Sequence, residues 1–151
     1  YLVLDATSPL QSNNVFWQNT DATASSFTVG ESVLTNESGQ TYIAYLFASL
    51  DGVSKVGSYT GNGTTQNIDC GFSAGARFVI IKRTDVSENW HVFDTARGIN
   101  SGDDPAIRLD TDASEFNSAA INPYSAGFQV EQSASCNNNV NNGSYIFYAI
   151  A

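Results

Sequence analysis

Apolar and polar positions along the chain alternate in short runs that predict β-strands. The clearest run is residues 78–81, four apolar and mostly β-branched residues bounded upstream by Gly71 and Gly75, which is typical of a strand covered on both faces. Residues 90–93 are predicted to form its partner strand, and the polar segment 84–89 between the two runs carries turn-forming Asp, Ser and Asn. The pattern therefore predicts a β-hairpin at the centre of the fold.

Similar runs predict strands along the whole chain. They lie at residues 1–5, 26–30, 41–48, 55–60, 67–72, 77–83, 90–94, 107–110, 127–132 and 144–151. Residues 41–48 are apolar on both alternating faces, which predicts a strand inside a sandwich and not at its edge, and residues 112–120 could form one short helical turn. With nine Phe, seven Tyr and no Met, the composition favours an all-β fold, an antiparallel β-sandwich of jelly-roll-like kind.

The second half of the chain repeats the first in three ordered blocks. The blocks pair residues 2–5 with 107–110, 26–29 with 127–130, and 39–48 with 143–151, the last with one residue slipped after the glycine. Such self-similarity is the signature of a repeat architecture, and it predicts about one and a half copies of a roughly 95-residue unit.

The phase of this repeat predicts the domain organisation. Residues 57–151 form one complete unit, residues 1–48 form the second half of a preceding unit, and residues 49–56 are a linker. Because half a β-unit exposes unpaired strand edges and an apolar face, we expect it to be covered by sequence outside this chain, by the 57–151 unit, or by strand exchange with a neighbouring copy. The strand-like runs at both chain ends predict a piece of a longer polypeptide.

Charge and hydropathy exclude several classes of partner. The net charge of −9 disfavours nucleic acid and anionic membrane, which require clustered Lys and Arg. No apolar run approaches the length that spans a bilayer, so no membrane insertion is predicted. Cys70 and Cys136 match no metal spacing, so we predict two free, buried thiols, with a disulfide between them as the alternative, and no cofactor.

An acid and a base lie three residues apart where the predicted strand 90–94 leaves the sheet. Asp94 and Arg97 belong to the sequence FDTARG, which ends at Gly98. Two interpretations are open. Arg97 contacts a sugar or an anion, or an Asp94–Arg97 ion pair fixes the turn, with Gly98 in a left-handed conformation.

A short Asn-rich run occupies residues 137–143. Because Asn tolerates left-handed backbone and Asn-Gly is a strong hairpin signal, the run predicts an exposed turn between two strands. Its side-chain amides could also bind a glycan, and the candidate contacts are Asn138, Asn139 and Asn141.

The remaining polar residues identify no reaction. His91 is the only histidine, and without a recognised nucleophile motif it favours a half-buried strand residue over a catalytic one. The carboxylates at 103–105 and 110–112 could hold Ca²⁺, but their spacing fits no EF-hand loop and favours a solvated acidic loop. Aromatic residues that could stack on sugars are Trp17, Tyr59 and Tyr124.

Taken together, the motifs of the chain resemble a tandem β-rich repeat of uncharacterised function in tail-fibre-like virion proteins of tailed bacteriophages. The motifs are GSYTGNG at 57–63, Gly71-Phe72, FVIIKRTD at 78–85, Trp90, FDTARG at 93–98, Gly127-Phe128, and GSYIFYAIA at 143–151. The resemblance covers residues 57–151, and residues 1–48 match the second half of the same repeat. It implies a structural component of the virion surface and carries over no catalytic or ligand-binding residue.

The sequence therefore predicts a structural repeat of a phage fibre or other virion appendage, involved in host attachment and located on the virion surface. Its expected partners are other copies of itself, as a trimer or a strand-exchanged filament, and other virion proteins. The alternative is a carbohydrate-binding module whose loops at 98–106 and 133–143 bind a host polysaccharide. No enzyme activity is predicted, since the sequence shows neither a carboxylate pair nor a metal cage that could carry one.

Overall fold

The computed structural model describes the whole chain, residues 1–151. The chain divides into two compact units. The first unit comprises Tyr1–Leu2 and Leu10–Leu46, and the second comprises Val3–Pro9 and Phe47–Ala151. Strand structure begins at Ser54, inside the range 49–56 that the sequence predicts as a linker.

The second unit is an antiparallel β-sandwich, which confirms the predicted fold class. Its strands are β1 Ser54–Thr60, β2 Gln66–Asp69, β3 Phe78–Arg83, β4 Trp90–Asp94, β5 Asp104–Arg108, β6 Phe116–Ser118, β7 Ile121–Tyr124, β8 Gly127–Val130 and β9 Ser144–Ile150. Six of them form one sheet in the order β1-β9-β3-β4-β5-β6, and the other three form a second sheet in the order β2-β8-β7.

The core lies between these two sheets. Val79, Ile81 and Phe93 contribute to it from the six-stranded sheet, and Phe128 and Val130 from the three-stranded sheet; all five are fully buried. The alternation of strand side chains places every second residue on the inner face, which is why the apolar runs read from the sequence converge here. A single contiguous cluster results.

The predicted central hairpin is present. Strands β3 and β4 pair antiparallel with Ile80 opposite Val92, and β3 also pairs with β9, so that Ile81 lies opposite Phe147. Because β3 has neighbours on both sides, its backbone groups are paired within the sheet; its inner face is buried, whereas Phe78 and Ile80 on the outer face are half-buried. The hairpin is therefore the centre of the six-stranded sheet.

Two strands were not predicted. Residues 112–120 were expected to form a helical turn, but β6 lies there, and the expectation is wrong because residues 116–118 pair with β5. Strand β7 contains Pro123, which weakens any local strand signal. It is tolerated because β7 is an edge strand of its sheet, where a missing N–H costs no ladder bond.

The first unit contains two single-turn helices and no strand. Helix α1 spans Asn14–Trp17 and helix α2 spans Val33–Asn36, and the side chains of Asn13 and Ser32 cap them by accepting from Val15 N and Leu34 N. Neither helix is long and apolar enough to cross a membrane.

The strands predicted at 1–5, 26–30 and 41–48 are absent, so these three predictions are wrong for this chain. The reason is a lack of pairing partners, because no strand of the first unit is available for hydrogen bonding. An isolated strand leaves its backbone groups unpaired and its apolar face in water, and it is not stable alone.

The segment Val3–Pro9 covers part of the outer face of the six-stranded sheet. Lys82 lies on that face but is fully buried; its ammonium donates to the carbonyls of Thr7, at 2.9 Å, and Glu88. The Trp90 indole donates to the carbonyl of Val3 at 3.0 Å. Burial lowers the pKa of Lys82, so these backbone bonds offset its desolvation.

Candidate functional site

Arg97 lies on the turn that follows β4, and its guanidinium is already paired. It contacts the Asp94 carboxylate, and its Nε lies 2.9 Å from Oε2 of Glu115. Asp94 Oδ1 also accepts from the backbone N–H groups of Ala96 and Arg97, both at 3.0 Å, and Gly98 has a positive φ of 139°. The interpretation as an ion pair that fixes the turn is therefore the observed one, and two carboxylates offset the charge that an anionic ligand would need.

The Asn-rich run is not an exposed turn throughout, which corrects the prediction for two of its residues. Asn138 is 2 % and Asn139 is 0 % exposed. Asn139 accepts from the backbone N–H of Asn62 at 2.9 Å and donates to the side-chain oxygen of the same residue at 2.9 Å. The Asn139 amide satisfies buried groups of the sandwich, and burial removes both Asn138 and Asn139 from the surface that a glycan could reach.

The two exposed candidate contacts, Arg97 and Asn141, do not form a common site. Arg97 borders a shallow pocket of about 440 Å³ together with Ile150 and Ala151, at the C-terminal end of β9. Asn141 lies before Ser144, at the N-terminal end of the same strand. Because they lie at opposite ends of a seven-residue strand, they cannot bind one sugar ring together.

A group of polar side chains lies inside the sandwich around His91, which is fully buried. Neither ring nitrogen makes a hydrogen bond, and Arg108 Nε and Asn138 Nδ2 make none either. The Asn138 side chain lies close to the ring and favours its charged form. Burial is the main cause that lowers the pKa of His91 to about 4. The ring is therefore neutral at neutral pH, and it is enclosed within the core instead of half-buried as predicted.

The cysteines are free thiols, as predicted, and both are buried. Burial raises the pKa of Cys70 to about 11 and that of Cys136 also to about 11. Cys136 donates to Ser118 Oγ at 3.3 Å. Since the thiolate is the nucleophilic form, neither sulfur is activated at neutral pH.

The acidic clusters are used within the fold. Asp104 is buried and accepts from the backbone N–H and the side-chain amide of Asn100, at 2.8 and 3.2 Å. Asp110 accepts from Asn89 Nδ2 at 3.0 Å and from Trp90 N at 3.1 Å. No three His, Cys, Asp or Glu side chains lie together in a group that could hold a metal ion. The prediction of a solvated loop is wrong for Asp104, whose carboxylate closes the 98–104 turn.

Residues of the first unit form a cleft of about 1060 Å³, and sequence reasoning did not identify it. Trp17 and Phe27 lie in its wall with their rings 6.4 Å apart, edge to face. Tyr42 also lines it, held by its hydroxyl, which donates to Val33 O at 2.6 Å and accepts from Glu37 N at 2.9 Å. The polar side chains in the wall include Asn13, Asn19, Asp21, Thr28 and Thr35.

The segment that was predicted to be a buried strand, residues 41–48, instead exposes its side chains. Ile43, Tyr45 and Leu46 are 79 %, 80 % and 75 % exposed, and Phe47 is 62 % exposed. Contiguous apolar surface of this kind is unusual on a monomeric soluble protein and marks an interaction site. The cleft and this segment are therefore the candidate functional surfaces of the chain.

Comparison with known proteins identifies a family but no activity. The chain matches, over residues 1–151, a family described as a domain of unknown function (DUF7483). No curated protein and no solved structure matches it.

Proposed function

We propose that this chain, which belongs to the family of unknown function DUF7483, is a structural repeat of a phage tail fibre or another virion surface appendage and takes part in host attachment. The observation that carries the proposal is the exposed apolar segment 41–48. The sequence of this segment matches that of β9, and β9 lies inside the six-stranded sheet between β1 and β3. A segment with this pattern is suited to pairing with other strands.

Assembly from such units follows the physics of repeat proteins. Each unit buries only part of its apolar surface alone, and stacking neighbours buries the remainder. The net charge of −9 keeps the remaining surface soluble. The partners are other copies of the chain, as a trimer or a strand-exchanged filament, and other virion proteins.

Self-association is tested by size-exclusion chromatography with light scattering across a range of protein concentrations. We expect a mass above that of one chain, and a single-chain mass for the double variant Tyr45→Ser/Leu46→Asp, because polar side chains there remove the apolar contact. Val86→Ser is the matched control, since Val86 is also exposed, at 41 %, but lies on the 84–89 loop. A native chain that remains monomeric at its highest soluble concentration would contradict self-assembly.

Location on the virion is tested with purified phage particles. Tryptic peptides of the chain are expected to co-sediment with particle proteins through a density gradient, and antibodies raised against the chain are expected to reduce adsorption to host cells. Peptides that stay in the soluble fraction of the lysate would contradict the assignment.

A second candidate function is binding of a host surface polysaccharide. It is favoured by the cleft of the first unit, where exposed Trp17 and Tyr45 lie beside the amides of Asn13 and Asn19. Aromatic faces with a few polar groups around them are typical of ligand sites. Because residues 1–54 contain no Lys or Arg, a glycan bound here would be neutral or cationic. Saturable binding of an oligosaccharide at Trp17 would establish this function.

A further inference from the structure

The cleft of the first unit is lined by residues whose counterparts form the core of the second unit. The repeat places three blocks of sequence in correspondence, and five cleft residues lie in two of those blocks. The pairs are Phe27 with Phe128, Val29 with Val130, Tyr42 with Tyr145, Ala44 with Phe147, and Leu46 with Ala149.

The two sets of residues differ sharply in burial. Each counterpart in the second unit is at most 6 % exposed, whereas Phe27 and Leu46 are 41 % and 75 % exposed. In the second unit β3 flanks β9 within the six-stranded sheet, so that Val79 and Ile81 lie beside Ala149 and Phe147 on the same inner face. Nothing in the first unit corresponds to β3 or β4. The cleft residues therefore lack the neighbouring strands that complete the sheet and cover the core in the second unit.

We propose that this cleft binds an apolar β-hairpin of the β3–β4 kind from another β unit, with the β3-like strand pairing along residues 42–46. The proposal rests on the proposed assembly function and names the partner surface. The bound strand takes the register that β3 has with β9. Its residue equivalent to Val79 then lies opposite Leu46, and its residue equivalent to Ile81 lies opposite Ala44. The occupant is apolar on its inner face because the cleft wall it meets consists of Phe27, Leu46 and similar side chains.

The sizes of the facing residues predict which hairpin fits best. Opposite position 81 the second unit has Phe147, but the first unit has the much smaller Ala44. Opposite position 79 the second unit has Ala149, but the first unit has the larger Leu46. Close packing requires facing volumes to compensate. The preferred partner strand therefore has a residue larger than isoleucine at the position equivalent to Ile81. At the position equivalent to Val79 it has a residue smaller than valine.

A fluorescence titration tests the proposal with the full chain. Trp90→Phe leaves Trp17, which lines the cleft, as the only tryptophan. The probe is a synthetic hairpin of residues 77–95 that carries Trp90→Phe. We expect a saturable blue shift of Trp17 emission, and about tenfold tighter binding for a hairpin that also carries Val79→Ala and Ile81→Phe, because these changes fit the volumes of Leu46 and Ala44. Isothermal titration calorimetry with the native chain checks that Trp90→Phe has not altered the cleft.

Matched variants distinguish specific binding in the cleft from nonspecific hydrophobic binding. Leu46→Asp is expected to abolish binding, whereas Leu50→Asp is expected to leave it unchanged, since Leu50 is similarly exposed, at 61 %, but does not line the cleft. A hairpin with the same composition in scrambled order is expected not to bind.

The competing outcomes are distinct. If the chain self-associates but no hairpin binds, assembly uses another surface, and the cleft proposal is wrong while the proposed function stands. If neutral oligosaccharides shift Trp17 emission saturably and the hairpins do not, the cleft is a sugar site and the strand proposal is overturned. Equal affinity of the native, resized and scrambled hairpins would overturn it as well.

Discussion

Phe128→Ala is expected to lower the free energy of unfolding of the second unit by about 3 to 5 kcal/mol, whereas Phe27→Ala is expected to cost less than about 1 kcal/mol. These residues correspond in sequence, but Phe128 is 0 % exposed and contacts the Phe147 ring edge to face at 5.2 Å. Truncation of Phe128 removes buried area and leaves a cavity, while Phe27 at 41 % exposure borders the open cleft, so its truncation removes less buried area and leaves no enclosed cavity. Urea unfolding measures both effects: Trp90 fluorescence in a Trp17→Phe background follows the second unit for Phe128→Ala, and Trp17 fluorescence in a Trp90→Phe background follows the first unit for Phe27→Ala.

The same pair of variants distinguishes folding from association. Phe27→Ala is expected to weaken self-association and hairpin binding while the urea midpoint of the isolated chain stays close to that of the native protein. Phe128→Leu serves as the control for cavity size, with a loss smaller than that of Phe128→Ala because more of the buried volume is kept. Equal destabilisation by Phe27→Ala and Phe128→Ala would mean that Phe27 is buried in solution, and the open cleft would then be wrong.

The fold class could be predicted because the signals of the second unit are local and agree with one another. Strand β4 was predicted at the bounds observed, and β3 and β9 within one residue at each end, because apolar β-branched runs and polar turns mark them. Strand β7 was missed because Pro123 argues against a strand unless the edge position is known. That position depends on the whole sheet and not on its own residues.

Residues 41–48 show what a local pattern cannot determine. Their sequence corresponds to β9, yet β9 is a strand with neighbours on both sides, while residues 41–48 have no regular secondary structure. Strand formation needs a partner that supplies hydrogen bonds and covers the apolar face. The sequence pattern therefore indicates that residues 41–48 are suited to a strand. Whether the strand forms depends on a partner strand that pairs with it.

The prediction of an exposed Asn-rich turn is wrong for Asn138 and Asn139 for a similar reason. An Asn-rich run indicates a turn, and Asn137 and Asn142 do have positive φ values of 49° and 62°, but the run also covers one end of the sandwich, which buries Asn138 and Asn139. The local pair of Asp94 and Arg97 could be predicted from spacing. The second carboxylate on Arg97, from Glu115, comes from a segment 18 residues away, and only the fold brings it there.

The buried polar group around His91 makes the protein sensitive to acid. We expect the free energy of unfolding to fall by about 3 kcal/mol as the pH decreases from 6.5, the ordinary pKa of histidine, to about 4, the pKa of His91 in the fold. The folded pKa lies below the unfolded one because burial disfavours the charged ring, so the unfolded state binds the proton first. Stability from this residue is complete above pH 6.5, declines through this range, and is lost below about pH 4.

His91→Phe isolates this contribution. The substitution removes the titration and loses no hydrogen bond of acceptable geometry, since neither ring nitrogen makes one, so we expect a cost of less than about 1.5 kcal/mol at neutral pH. The charged groups around the ring, Glu88, Arg108 and Asp110, are retained in the variant. The difference in urea-unfolding free energy between the native chain and His91→Phe is expected to shift in favour of the variant as pH falls from 6.5 to 4. Ion pairing with Arg83 lowers the pKa of Asp85 from 3.8 to about 2. The stability that the ionised Asp85 contributes is therefore lost only at pH values below the range from 6.5 to 4. A difference that stays constant with pH would show that the imidazole is hydrated or exposed, and that the end of the sandwich around Asn138 is open to water.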